Sequence, residues 1–325
     1  MYQHSVILMT PKLASVIIPT YNRPDKLTLV LEALSKQSLT PDKYETLVVD
    51  NNSRDNTKET VQQCIQRFPG LNIRYLFEEK QGLNFARNLG VQQAQADILV
   101  FLDDDAIPET SWLQALLSVY GDPKTGCVGG KITPGFPEGT RLPRWLSPIF
   151  NGYFSGFNPG GNQNKELTEN NYFPYGANIS FKKEAIVSAG LFNPKLDRCG
   201  GNLVSGGETE MCLKIRRLGW KIFYTPHATV LHLISPNRLT RKYFVDHAKG
   251  EGITMALIDR SLCNNTVTYQ QASHYLHGVV KYGRMLLSTM REEDKRFYYY
   301  LRVRVYLAAL LYWVRLLVSG SRQGN

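Results

Sequence analysis

The sequence predicts an α/β fold, a mostly parallel sheet flanked by helices, with a helical region appended at the C-terminus. Three observations carry the prediction. Short apolar runs alternate with segments whose apolar residues recur at helical spacing, the signature of a sheet covered by helices. Polar clusters follow the strand-like runs, where ligands collect in such sheets. Beyond about residue 235 only helix-like segments remain, so the chain divides into 1–235 and 236–325.

Taken in order, "ASVIIPT" reads as a buried strand. "PDKLTLVLEALSKQ" follows as a helix with Leu27, Val30, Leu31 and Leu34 on one face. "YETLVVD" is a second strand and "NTKETVQQCIQRF" a second helix; "NIRYLF", "GLNFARNLGVQQAQ" and "DILVFL" repeat the alternation. The clusters "PTYNR", "DNNSRDNT" and "DDD" stand at strand ends and should converge in space. "TRKYFVDHAKGEGITMALIDRSL" and "ASHYLHGVVKYGRMLLSTM" read as helices, ahead of a long basic and aromatic segment.

Composition narrows the function classes. The 325 residues, 43% hydrophobic and 11% aromatic, suffice for a sizeable core and argue against disorder. Five cysteines (Cys64, Cys127, Cys199, Cys212, Cys263) without Cys-x-x-Cys spacing indicate neither a disulfide framework nor a zinc site. The first twenty residues lack a basic start and a long apolar stretch, so the expectation is no secretory signal and a cytoplasmic protein. A formal charge of +10 favours anionic partners. Nucleic acid is not among them, because basic residues are interleaved with apolar runs and no recognition motif is present. Neither a phosphate loop with Gly-Lys-Ser/Thr nor a Gly-x-Gly-x-x-Gly fingerprint follows the first strand.

The acidic run in "VFLDDDAIPE" calls for a cation. Asp103 and Asp105 would point to one side if the backbone stays extended, and Asp104 to the other. Such a pair suits Mg²⁺ or Mn²⁺, which take oxygen ligands and complete their shell with water and phosphate. The same residues would also serve as acidic neighbours of the helix "SWLQALLSVY". Asp50 is placed either to accept from a nucleobase N–H or to form a turn ahead of its helix.

"SVIIPTYNRPDKL", "TLVVDNNSRDNT", "KQGLNFARNLG", "DILVFLDDDAIPE" and "GGETEMCLKIRRLGWKIFYTPHATVLHL" together resemble the family 2 glycosyltransferases of GT-A fold, over about residues 14 to 235. The resemblance implies inverting transfer from a nucleotide-activated sugar, with a divalent metal, Mn²⁺ or Mg²⁺, at Asp103 and Asp105 of the Asp-x-Asp motif. It implies donor binding by Pro19, Thr20, Tyr21 and Asn22, by Asp50 as base reader, by Gly82, Arg87 and Asn88 near the ribose and diphosphate, and by Asp103 and Asp104. A guanidinium beside a diphosphate makes a forked, charge-assisted contact, although Arg87 would pair equally with Glu78 or Glu79.

"SGGETEM" supplies the acceptor-side carboxylates. The family often reads Glu-Asp-x-Asp-Leu here, which aligns Glu208 with the catalytic Asp and Glu210 with the later one. Gly207 replaces a Glu and each Glu is a methylene longer than the family's Asp, leaving Glu208 and Glu210 both as catalytic candidates; both would also favour a helix start. His232 matches a position where related enzymes carry a metal- or phosphate-binding His, and is otherwise a structural residue. For the acceptor, Trp145 in the Gly-, Pro- and aromatic-rich stretch 133–181 and Asn178 in "YGANISF" are the residues singled out. The aromatics of that stretch either stack on a sugar or pin the loop to the core.

The apolar segment Val305 to Val314 is shorter than the roughly 20 residues a bilayer span needs. Arg304 and Arg315, about three turns apart, mark a polar stripe on one face. The helix is therefore read as lying against an anionic membrane surface, or as packed on the catalytic domain. The expected function is a metal-assisted inverting glycosyltransferase, a hexosyltransferase of polysaccharide or glycoconjugate synthesis, cytoplasmic or peripheral on the membrane's cytoplasmic face. Its donor would be a UDP-sugar by family habit and its acceptor a glycan or lipid-linked. The alternatives are a sugar nucleotidyltransferase, which lacks its Gly-rich Lys-bearing start here, and a non-catalytic sugar-nucleotide or glycan-binding scaffold.

Overall fold

β1 (Ala14–Thr20), β2 (Tyr44–Asp50) and β4 (Ile98–Leu102) are mainly apolar and buried on both faces, as parallel strands covered by helices require. With β3 (Ile73–Phe77) they form a parallel set in the order β3-β2-β1-β4. The computed structural model describes residues 12–169, 172–197, 203–263, 266–289 and 291–320. Residues 1–11, part of the stretch used to judge a leader, and Cys199 lie outside them.

The connecting helices are α1 (Pro24–Leu34), α2 (Thr57–Arg67) and α3 (Leu83–Gln93). α1 buries Leu27, Val30, Leu31 and Leu34, the face its spacing predicts. α3 lies so close to β1 that a Cβ on Gly90 would stand 2.4 Å from Ile17 Cγ2, which explains a glycine inside a helix.

Beyond β4 the sheet becomes mixed. Short β5 (Ala106–Pro108) and α4 (Trp112–Leu117) lead to β6 (Thr125–Gly135). The two-residue β7 (Lys165–Glu166), β8 (Asn178–Lys182), α5 (Lys183–Ser188), α6 (Gly207–Arg217) and β9 (Lys221–Leu233) follow. β8 pairs antiparallel with β4, and the sheet continues β8-β6-β9-β5.

Three helices close the chain: α7 (Arg241–Leu262), α8 (Tyr269–Ser288) and α9 (Glu293–Gly320). α9 buries Leu301, Val305, Ala309 and Trp313, spaced four apart, against its neighbours and leaves its opposite side exposed. The packed reading thus describes the buried face of this helix. A second core joins Trp145, Phe150 and Phe154 of the irregular stretch to Phe244 of α7 and Phe297, Leu301 and Val305 of α9. It spans the division at residue 235. None of the helices, among the described residues, is long and apolar enough to cross a membrane.

Candidate active site

The strand ends converge as the alternation predicts. Asn22, at φ 52, donates its N–H to Ser53 Oγ (3.0 Å) and accepts from Arg54 N–H (2.8 Å), joining the cluster after β1 to the one after β2. Thr20 Oγ1 donates to Asp104 (2.8 Å), joining both to the acidic run. Between them opens a cavity of about 830 Å³. Pro19, Thr20, Tyr21, Gly82, Arg87, all three aspartates, Glu208 and His232 line it.

The acidic run does not stay extended. The Ala106 N–H bonds back to Asp103 C=O (3.1 Å), so the chain turns sharply after β4 and it is the turn, not the strand pleat, that brings Asp103 and Asp105 together. Asp104 does face elsewhere, toward Thr20 and Arg23. Asp105 Oδ2 is held by Arg23 Nη1 (3.0 Å) and Lys26 Nζ (3.3 Å), while Oδ1 faces His232 Nε2 at 3.1 Å. Part of the positive charge that the acidic run requires therefore comes from the start of α1. Burial raises the Asp105 carboxyl, but the contact with His232 and the charges of His232, Arg23 and Lys26 outweigh it and hold the group well below the usual carboxylate range. Burial pushes the Asp104 carboxyl up to about 6 despite Arg23, with Asp105 adding to the rise. Asp103 is raised as well, by burial and then by Asp105.

Asp103, Asp105 and His232 each offer one ligand atom, all within 4.8 Å of one another. His232 Nδ1 lies 2.8 Å from the Phe154 carbonyl, an acceptor only, so Nδ1 carries a hydrogen and Nε2 is the atom that faces Asp105. Two acceptors at 3.1 Å need a proton or a cation between them. An imidazole nitrogen with two carboxylates suits Mn²⁺, whereas Mg²⁺ would use the carboxylates alone. Orienting the imidazole is thus one task of the long irregular stretch, through Phe154 C=O.

The second carboxylate cluster separates. Glu208, at the start of α6, faces the cavity; its Oε2 lies 3.2 Å from Arg87 Nη1 and its Oε1 accepts from Gly176 N–H (3.3 Å). Glu210 is 1% exposed, does not line the cavity and is taken up by Lys214 (3.1 Å), Asn193 (3.2 Å) and Ser261. Arg87 meets neither Glu78 nor Glu79. It is buried, touching Glu208, Asn84 and the Phe192 ring.

Other candidates sit behind the walls. Asp50 accepts from Ser53 N–H (2.9 Å) and the Tyr75 hydroxyl (2.7 Å), the turn arrangement, while the adjacent Asn51 lines the cavity. Asn88 exchanges hydrogen bonds with the Phe192 backbone and pins that loop. Asn178 is wholly buried: its Oδ1 accepts from Trp112 Nε1 and its Nδ2 donates to Lys131 O and Ala228 O. Trp145 packs edge-on against Phe150, Phe244 and Phe297. In this conformation neither presents a surface to an acceptor; both are consumed by packing and backbone pairing.

The sequence reading missed Arg23, Lys26, Asp197 and Arg238. Arg23 stood in the quoted "PTYNR", and looking for cations to balance three consecutive carboxylates would have found it. Asp197 accepts from the N–H groups of Leu83 and Asn84, capping α3 from 113 residues away, which no local pattern reveals. It also explains Gly82, at φ 145, whose Cβ would meet Asp197 Oδ2 at 2.6 Å. Arg238 lines the cavity from the segment after β9.

Residues 15–188 match the family model described as Glycosyl transferase family 2. Among curated proteins, the chain is 30% identical to Glycosyltransferase AglE of Haloferax volcanii over 71% of its own length and 70% of the relative's. It is 25% identical to the Glucosyl-dolichyl phosphate glucuronosyltransferase of the same organism, over 80% and 79%. Among solved structures it resembles the mannosyltransferase PcManGT of Pyrobaculum calidifontis in complex with GDP-Man and Mn²⁺ (TM-score 0.59, 18% identity, 97% of this chain and 82% of that one). It also resembles S. aureus TarS 1–349 in complex with UDP (TM-score 0.52, 17% identity, 96% and 92%). At these identities the structural likeness speaks for the fold.

Proposed function

Because the chain belongs to glycosyl transferase family 2 and has the mixed, mostly parallel sheet of the GT-A type, we infer that it takes nucleotide-sugar donors. From that premise we propose that it is an inverting hexosyltransferase acting on a glycan or lipid-linked acceptor, with Glu208 as base and Asp103, Asp105 and His232 as metal ligands. The observation that carries the proposal is that Glu208 and this trio line one cavity. The acceptor hydroxyl gives its proton to Glu208 as its oxygen bonds to the anomeric carbon, and the bond from that carbon to the diphosphate breaks on the opposite face with its electron pair leaving on the diphosphate. Mn²⁺ or Mg²⁺, when bound, supplies positive charge for that leaving group. Arg87, 3.2 Å from Glu208, holds the carboxylate in place at the cavity wall.

A lipid-linked acceptor is supported by the dolichyl phosphate chemistry in one relative's name. Uracil is the base we favour by family habit, with guanine the competitor, since one structural neighbour holds GDP-Man and another UDP. A non-catalytic scaffold would not need Glu208 and the Asp103, Asp105 and His232 trio to line one cavity. The test is a panel of nucleotide sugars with Mn²⁺, scored by release of nucleoside diphosphate. One donor should stand out in the presence of acceptor extract, and release from none of them would sink the proposal.

A further inference from the structure

α8 and α9 form an antiparallel hairpin. Tyr275 packs against Trp313, and Tyr282 against Tyr306 and Tyr299. α9 rests its other flank on α7, where Gly252 meets the Val305 backbone and Glu251 pairs with Arg302 (2.6 Å). The surface that neither neighbour covers is apolar. On α8, Tyr269, Leu276, Val280 and Leu287 fall, at about 100° per residue, within a sector of roughly 40°. They are exposed, Tyr269 by 82% and Leu287 by 74%. On α9, Leu307, Leu311, Val314 and Val318 form a second exposed stripe.

In each helix the stripe lies roughly a third of a turn or a little more beyond the residues that touch the partner helix, in the sense of increasing residue angle. Because the helices run antiparallel, both stripes emerge on the same side of the hairpin. These two helices hold nine of the twenty large exposed hydrophobic side chains of the described residues, a concentration that marks an interaction surface. Its rims are basic, with Lys281 and Arg284 beside the α8 stripe and Arg304 and Arg315 beside the α9 stripe. α8 contains no Asp or Glu, and α9 none after Asp294. Arg322, further along the same basic segment, lies outside the described residues.

We propose that this two-helix face docks on a bilayer containing anionic lipid, its helices lying in the interface plane with apolar stripes inserted and basic rims on the headgroups. Charge decides the occupant: a second copy meeting this face would bring like-charged rims together, whereas an anionic surface complements both. The inference goes beyond the proposed reaction, since it assigns a surface and holds for a soluble or a lipid-linked acceptor alike.

Flotation of the full chain with vesicles of phosphatidylcholine alone, or with phosphatidylglycerol added, tests it. Binding to the anionic vesicles at low salt is expected, weakening toward ~0.5 M salt as the charges are screened. Leu276→Gln with Leu287→Gln, and separately Leu307→Gln with Leu311→Gln, should each lower vesicle partitioning about tenfold or more. Arg304→Glu with Arg315→Glu should lower it on anionic vesicles only. Unchanged melting and Mn²⁺-dependent nucleotide binding in these variants show an intact fold. Absence of anionic-vesicle binding at low salt overturns the proposal, as does an α8 pair without effect, or a dimer in sedimentation that the same substitutions dissolve. Failure of the wild type to bind nucleotide would instead count against the proposed reaction and leave the vesicle result standing.

Discussion

Replacing Glu208 by Gln separates the two carboxylates that the sequence leaves as equal candidates. The substitution keeps size and the acceptor oxygen for Gly176 N–H, but removes proton acceptance and the charge facing Arg87. Loss of a positioned general base costs about two to four orders of magnitude in turnover, or about 3–5 kcal/mol of barrier. Stability should fall too. Arg87 is 3% exposed, and without Glu208 it keeps Asn84 Oδ1 at 3.2 Å and the Phe192 ring, so its buried charge is left under-compensated by about 1–3 kcal/mol. Turnover must therefore be compared well below the variant's melting temperature, with donor saturating, alongside calorimetry of nucleotide and Mn²⁺ binding. Binding should survive within a few-fold. Glu210→Gln should behave oppositely: its carboxylate sits against Lys214 and away from the cavity, so melting drops while turnover per folded molecule changes little. Near-wild-type turnover in Glu208→Gln, with collapse in Glu210→Gln, would refute this reasoning.

Asp105→Asn should abolish Mn²⁺-dependent nucleotide binding in calorimetry, and unchanged affinity would remove Asp105 from the metal site. Asp104 gives a pH test in metal-free buffer. Its folded-state carboxyl, lifted to about 6 by burial, binds its proton more tightly than the unfolded chain does, so that contribution to stability is complete below about pH 4 and lost as pH rises through 6. Asp104→Asn, which mimics the protonated group, should raise stability at pH 7.5 by about 1–3 kcal/mol and by little near pH 4.5, read by thermal melts; a pH-independent difference would contradict the assignment. Truncation after Ser288 should destabilise the protein rather than simply release it from membranes, because it strips Phe297, Leu301 and Val305 from the core shared with Trp145 and Phe244, where a single large-to-small change costs about 2–5 kcal/mol. An unchanged melting profile for the truncated chain would show that this core is dispensable.

What the sequence by itself determined follows from local periodicity and strand-end chemistry. β1, α1 and β2 lie where apolar runs and helical spacing predict, because each element buries a face its own residues define. The convergence of "PTYNR", "DNNSRDNT" and "DDD" was legible for the same reason, since parallel strands deliver their ends to one edge. What lies beyond sequence is whatever depends on partners distant in the chain. Glu208 and Glu210 are near neighbours with the same chemistry, and only the packing of α6 against α7 and the Asn193 loop hides one and opens the other. Trp145 and Asn178 have side chains fit for an acceptor, yet a shared aromatic core and buried backbone carbonyls claim them. Asp197 reaches α3, Phe154 C=O orients His232 and Arg23 neutralises Asp104 and Asp105, contacts set by how the sheet, its irregular crossover and α1 come together. The two apolar stripes of α8 and α9 are written in the sequence one helix at a time. That they share a side is decided by the antiparallel pairing of the hairpin.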